Sequence, residues 1–193
     1  MSDDTTTGTG TRTAERLMPG DPGPRELLER ILRVDHAGEY GAVRIYQGQR
    51  AILGRRRACS DALKTMEEQE RHHLETFNDL ISHRRVRPTL LQPIWHIAGF
   101  ALGAGTALLG EKAAMACTVA VEETIEQHYA RQLEQLGEDE ADLKATVTTF
   151  REEELHHRDI GLANGAEQTP AYPVLSSAIK AGTKVAIWLS ERF

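Results

Sequence analysis

Two short stretches of the chain set a glutamate and a histidine three residues apart, Glu70 with His73 and Glu154 with His157. Each is preceded by another glutamate, Glu39 or Glu122, at a separation of 31 residues in the first case and 32 in the second. Positions i and i+3 share a helix face, so each pair can aim a carboxylate and an imidazole at one point. Carboxylates and imidazoles without thiolates suit iron or manganese better than structural zinc. A single Glu-x-x-His is common on surface helices. Two copies at near-equal spacing, each led by a glutamate, form an internal repeat whose chemistry would be metal-assisted activation of dioxygen.

That chemistry requires helices with these residues on their inner faces. From Leu27 the apolar positions Ile31, Val34, Gly38, Ala42 and Ile45 recur at helical spacing to about Leu53, where Gly54 ends the run, and Glu39 lies in register with Ala42 and Tyr46. A second run from Asp61 carries Ala62, Met66, Phe77 and Leu80, and the same progression passes through positions 70 and 73. A fourth helix is expected from Glu111 to about Leu136, with Glu122 between Thr118 and Ile125. A fifth is expected from near Asp139 to about Leu162, whose stripe Leu143, Val147, Phe150 and Gly161 passes through 154 and 157. His72, His156, Glu123 and Glu153 stand beside the candidate ligands, but 153 and 156 align with the polar positions Asp142, Thr146 and Thr149.

Four carboxylates buried in a helical core repel one another and lose hydration, so a positive charge must sit among them. A glutamate from each of two helices plus Glu-x-x-His from each of two others is the donor set of two-metal ferritin-like bundles. The fold expected is all-α, a ferritin-like antiparallel helical bundle with an extra apolar helix and a C-terminal amphipathic helix. No stretch of useful length alternates with period two, so a sheet has no material.

Three further residues lie near the ligand lines. Asp35, one turn before Glu39, is placed to orient a ligand histidine through its ring N–H. Glu126 and Tyr129 follow Glu122 by one and two turns, and Tyr129 is placed to donate to bound oxygen or to a substrate carbonyl. His128 is offset toward a pocket edge.

Composition agrees with one bundle. A chain of 193 residues, 40% apolar with only 5% aromatic residues, favours helices of Ala and Leu. Its net charge of -6, with basic residues dispersed among acidic ones, shows no footprint for a polyanion, so nucleic acid is not an expected partner. Cys59 and Cys117 have neither metal-ligand spacing nor a disulfide framework. Residues 1–24, rich in Thr, Gly, Asp and Pro, read as a disordered tail that is neither a secretory signal nor a good presequence, and 25–193 as the helical di-iron domain.

The stretch from Leu90 to Gly110 holds no charged residue. As a helix it is just long enough for a hydrocarbon core of about 30 Å, yet spanning would separate the two halves of the repeat across the bilayer. The expectation is a helix packed on the bundle through small residues, exposing Leu, Ile, Phe and Trp. A last helix after Pro170 and Pro173 would join it through Leu175, Ile179, Gly182, Ala186 and Leu189, with Lys180 and Lys184 toward headgroups. Trp95, Phe100 and Trp188 are the expected anchors. Burial of the same faces in an oligomer or by a protein partner is the competing expectation.

The wording around the candidate ligands, RVDHAGEYGAVRIYQGQ, MEEQERHHLETFNDLI, ACTVAVEETIEQHY and FREEELHHRDIG, resembles the demethoxyubiquinone hydroxylase family of ubiquinone biosynthesis, nearly continuously from Arg30 to the end. The resemblance implies a di-iron monooxygenase using O2 on a polyprenyl methoxy-methyl-benzoquinone. Its two iron ions would be held by Glu39, Glu70, His73, Glu122, Glu154 and His157. It also implies a His-Tyr couple at His128 and Tyr129 linked to electron delivery from NADH, although no glycine-rich dinucleotide motif is present. The implied location is the cytoplasmic side of a bacterial inner membrane, held peripherally, or the matrix side of the mitochondrial inner membrane if a presequence has been removed. Iron storage with the same centre as a ferroxidase, and a metal-free structural bundle, are the alternatives.

Overall fold

The computed structural model describes residues 22–54 and 58–193. The tail expected over 1–24 falls almost wholly on residues outside that range. Among the described residues there are six α-helices and no strands: α1 (Pro24–Leu53), α2 (Ser60–Arg84), α3 (Gln92–Leu108), α4 (Glu111–Gln135), α5 (Ala141–Ala163) and α6 (Tyr172–Ser190). Pro24 opens α1, where its missing N–H costs nothing, and Gly54 closes it at φ +64, its N–H bonded to the Arg50 carbonyl. The all-α, ferritin-like architecture read from the sequence is the one observed.

The core lies where the stripes converge. Leu32, Phe77, Cys117, Val121, Leu143 and Val147 are buried in one cluster, and Tyr46, Leu63, Met66, Met115 and Val119 in another. α1 runs antiparallel to α4. Tyr129 and Gln132, late in α4, bond Glu39 and Asp35, early in α1, while Gln49, late in α1, donates to the Ala114 carbonyl at 3.0 Å. α2 packs on α1 and α5 packs on α4.

α3 lies parallel along α1, and the glycines decide how closely. A Cβ on Gly103 would sit 1.9 Å from the Ile45 carbonyl oxygen, and one on Gly48 would sit 2.2 Å from that of Phe100. Only hydrogen fits there, so the backbones meet without an intervening side chain. α6 repeats this arrangement on α4, advancing in the same direction: Lys180 pairs with Glu123, and Lys184 and Ile187 stand by His128 and Arg131. The repeat thus extends beyond the helices that carry its glutamates and histidines. Each half is a Glu helix, a Glu-x-x-His helix and an apolar helix laid parallel on the first.

Two expectations about the apolar helices are corrected. Trp95 and Phe100 are not on the outward face of α3: the Trp95 indole N–H donates to Ser190 Oγ at 3.0 Å, and Arg44 lies over the Phe100 ring, 5.0 Å from its centroid. Along α6, Ile179 is buried and Leu175 packs against the core, so that stripe faces inward. The outward residues are Ile94, Ile97 and Leu108 on α3, at 54%, 70% and 72% exposure, and Val174, Val185 and Trp188 on α6, at 71%, 57% and 52%. Both helices are apolar on two sides, and hydropathy alone cannot say which side packs. Among the described residues no helix is long and apolar enough to cross a membrane.

Candidate metal centre

The six expected ligands meet in the bundle interior. Glu39, Glu70, His73 and Glu154 offer one donor atom each within 4.8 Å of one another, and Glu70, Glu122, Glu154 and His157 do the same. Glu70 and Glu154 belong to both groups, the placement needed for carboxylates shared between two ions. All six side chains are buried, whereas His72 and His156 are exposed. Glu123 is turned to the surface pair with Lys180.

The inner atoms are short of partners. Glu39 Oε2, both oxygens of Glu70 and Glu154, Glu122 Oε2, and Nδ1 of His73 and His157 are buried without a hydrogen bond. Orphaned polar atoms of this kind are costly and rare. His157 Nδ1 lies 3.0 Å from Glu70 Oε1 and 3.5 Å from Glu154 Oε2, and His73 Nδ1 lies 3.3 Å from Glu39 Oε2 and 3.4 Å from Glu154 Oε1. Hard oxygens and imidazole nitrogens converging in this way fit two ions of iron or manganese type.

The outer atoms are held, and held symmetrically. Tyr46 donates to Glu122 Oε1 at 2.6 Å, and Tyr129 donates to Glu39 Oε1. Each tyrosine stands seven residues after the glutamate of its own half and reaches the glutamate of the other. Likewise His157 Nε2 donates to Gln69 Oε1 at 2.9 Å, and His73 Nε2 bonds Glu153. Gln69 and Glu153 each immediately precede the glutamate of their Glu-x-x-His. With Nε2 occupied by an acceptor, Nδ1 is the nitrogen left available to a metal ion.

The sequence reading sets Tyr46 in register with Glu39 but gives it no role, does not single out Gln69, and places Glu153 on a polar face. The signal was there in the repeat, at offsets of +7 and -1 from its glutamates. Asp35 does not orient a ligand histidine, because both histidines turn their outer nitrogens toward α2 and α5 while Asp35 faces α4. Its Oδ1 accepts from Gln132 at 2.6 Å and lies 3.8 Å from His128 Nε2. Glu126 is bound to Arg151 at 2.5 Å, away from the cage. His128 lines a cavity of about 190 Å³ between α1, α4 and α6.

Without metal the cage balances its charge with protons. Burial, then repulsion from Glu154, pushes Glu70 well above the usual carboxylate range, and the same two causes raise Glu122. Burial opposes charge on His73, but the adjacent Glu154 and Glu39 carboxylates prevail and raise it to about 12. Burial likewise works against ionised Glu154, yet His157 and His73 hold it far below its ordinary value. Metal entering the cage must expel the protons on His73, Glu70 and Glu122. Groups whose pKa is raised keep those protons at neutral pH, so affinity should rise with pH. Each displaced proton contributes about tenfold per pH unit. Ferrous-ion isotherms at about pH 6 and about pH 8 should therefore differ by roughly 100-fold or more. Equal affinities would show that the cage carries no displaceable proton.

Comparison with known proteins adds the chemistry of relatives. The family "Ubiquinone biosynthesis protein COQ7" matches residues 26–190. A protein of Rhodospirillum rubrum named 3-demethoxyubiquinol 3-hydroxylase is 67% identical over 183 residues, covering 95% of this chain and 86% of its own. The human NADPH-dependent 3-demethoxyubiquinone 3-hydroxylase, mitochondrial, is 53% identical over 95% of this chain and 88% of its own. The Saccharomyces cerevisiae 5-demethoxyubiquinone hydroxylase, mitochondrial, is 42% identical over 86% of this chain and 78% of its own.

Proposed function

This chain belongs to the COQ7 family of ubiquinone biosynthesis proteins, and from that premise we propose that it is a di-iron monooxygenase that hydroxylates the ring of a polyprenyl methoxy-methyl-benzoquinone, a demethoxyubiquinone. The observation that carries this reading is the convergence of partnerless carboxylate oxygens and two imidazole Nδ1 atoms in a buried core. One atom of O2 enters a ring C–H bond as hydroxyl and the other leaves as water, a balance that requires two electrons and two protons. Two iron ions, held by Glu39, Glu70, His73, Glu122, Glu154 and His157, would supply the activation of dioxygen.

The remaining work falls to the protein's own groups. Tyr46 and Tyr129 fix Glu122 and Glu39 by their outer oxygens, so each carboxylate presents its inner oxygen in one orientation. Gln69 and Glu153 fix the imidazoles in the tautomer that frees Nδ1. The packed core around them excludes bulk water, which would otherwise compete for the reactive centre.

Electrons are proposed to come from a reduced nicotinamide dinucleotide of which only one end enters the small cavity beside His128. Arg30, Arg131 and Lys184 line it and suit a diphosphate, and Trp188 supplies an aromatic wall. Tyr129, next to His128 in sequence, touches Glu39, so the cavity lies one residue away from the cage. The quinone's isoprenoid tail is proposed to be drawn from a bilayer against the outward apolar faces of α3 and α6, giving peripheral membrane association. Homo-oligomers or other ubiquinone-biosynthesis proteins are alternative occupants of those faces.

Elemental analysis joined to an assay tests the reading. We expect about two iron per chain and NADPH-driven conversion of a short-chain demethoxyubiquinone to its hydroxylated product. Ferrous-ion oxidation without hydroxylated quinone would replace it with a ferroxidase, and metal-free protein as stable as loaded protein would leave a structural bundle.

A further inference from the structure

Behind the cavity lies a buried polar chain that the metal cage does not use. The Gln132 amide nitrogen donates to Asp35 Oδ1 at 2.6 Å and lies 2.9 Å from His128 Nε2. That nitrogen carries two hydrogens, one for each neighbour, so His128 Nε2 is the acceptor of the second. All three side chains are buried. His128 Nδ1 then has no protein partner among the described residues, and it belongs to the ring that lines the cavity.

The opposite amide orientation is disfavoured. It would move the NH2 to the place where Oε1 now stands without a partner. Orphaned donors in a protein interior are rarer than under-satisfied carbonyls. The observed orientation leaves only an acceptor unfilled.

We propose that Asp35 and Gln132 are positioning residues that hold His128 as its neutral Nδ1–H tautomer, with the acceptor nitrogen occupied, so that the ring offers the cavity a hydrogen-bond donor and no base. The complementary group is a hydrogen-bond acceptor such as a carboxamide or carbonyl oxygen. A nicotinamide carries one, and to that extent the inference rests on the reductant site proposed above. Charged and titratable groups facing the ring are Asp35 and Arg30 from α1, Arg131 from its own helix, and Lys184 and Glu191 from α6. Burial, and secondarily Arg131, pushes the imidazole down to about 4, which keeps it uncharged at neutral pH.

The test is nitrogen NMR of histidine-labelled, iron-loaded protein, with the His128 signal identified by its loss in His128→Gln. Expected is a protonated Nδ1 and an unprotonated Nε2 with no titration between about pH 5 and pH 9. In Gln132→Met and in Asp35→Ala, Nε2 should lose its fixed donor and the Nε2–H tautomer should appear. In Gln132→Met, which keeps the Asp35 carboxyl, the ring should then titrate about one pH unit or more higher, and kcat/KM for NADPH should gain a matching acid limb. Asp35→Asn keeps an acceptor for Gln132 and should restore the wild-type tautomer. A wild-type His128 protonated at Nε2 overturns the proposal even if no variant folds, as does a tautomer and pH profile unmoved by both Gln132→Met and Asp35→Ala. Failure of NADPH to bind would remove the reductant site while leaving the tautomer measurement to stand or fall by itself.

Discussion

Glu154→Ala should reduce iron from about two per chain to fewer than one, and should lower quinone hydroxylation by on the order of 1000-fold, the rate equivalent of roughly 4 kcal/mol. Glu154 belongs to both donor groups, is wholly buried, and has neither oxygen hydrogen-bonded to anything else. Removing it takes a carboxylate that stands beside both His73 and His157, and would take a shared donor from both proposed ions. Loss of one partner from a buried charged set typically costs several kcal/mol. Glu122→Ala should also abolish activity, with loss centred on the group that contains His157. Glu123→Ala is the matched control: its carboxylate meets Lys180 at the surface, where an ion pair contributes about 0–1 kcal/mol. The rise in Tm on iron loading should vanish with Glu154→Ala and persist with Glu123→Ala, since ligand binding stabilises only a state that can hold the ligand. Equal damage from Glu122→Ala and Glu123→Ala, or full iron loading of Glu154→Ala, would contradict the assignment.

Changing Ile94, Ile97 and Val185 together to Ser should abolish co-sedimentation with phospholipid vesicles while iron content stays at the wild-type level. These three point outward on α3 and α6 and take no part in the cage. Burying an aliphatic side chain of this size contributes about 1.5–3 kcal/mol. Even partial insertion of three therefore supports a loss of at least ~100-fold in vesicle affinity at 1.36 kcal/mol per tenfold. Trp95→Ser is the contrasting variant. Its indole is bonded to Ser190 between the ends of α3 and α6, so the change should lower stability more than it lowers binding. Wild-type protein that never sediments with vesicles would assign these faces to a protein partner or a second copy of the chain.

The helices themselves were legible in the sequence, and so were the six ligand candidates. Periodicity is local: a stripe through Phe77 and Met66 sets the side of α2 on which Glu70 and His73 lie, whatever packs there. Breakers worked in the same way at Gly54, Pro88 and Gly137, each within a few residues of an observed helix end. The uncharged stretch after Leu90 was long enough on paper for a membrane, but the helix it forms covers only Gln92–Leu108, 17 residues, or about 25 Å at 1.5 Å per residue.

The sequence by itself determined the bundle, the repeat and which residues of the four glutamate-bearing helices face inward, because each depends on spacing along one helix. Tertiary structure alone decided which residues meet across helices. Tyr46 reaches Glu122, Tyr129 reaches Glu39, Glu153 reaches His73 and Gln69 reaches His157, and every one of these contacts joins the two halves of the repeat. The same holds for Asp35, whose position one turn from Glu39 suggested a ligand histidine but whose partner proved to be Gln132 on the antiparallel helix. It holds again for α3 and α6, apolar on two sides, whose inner faces were chosen by close backbone approach at Gly48 and Gly103 on one helix pair and by Ile179 on the other. The distance between helices and their rotation about their own axes arise from packing the whole core, and no pattern within one helix records them.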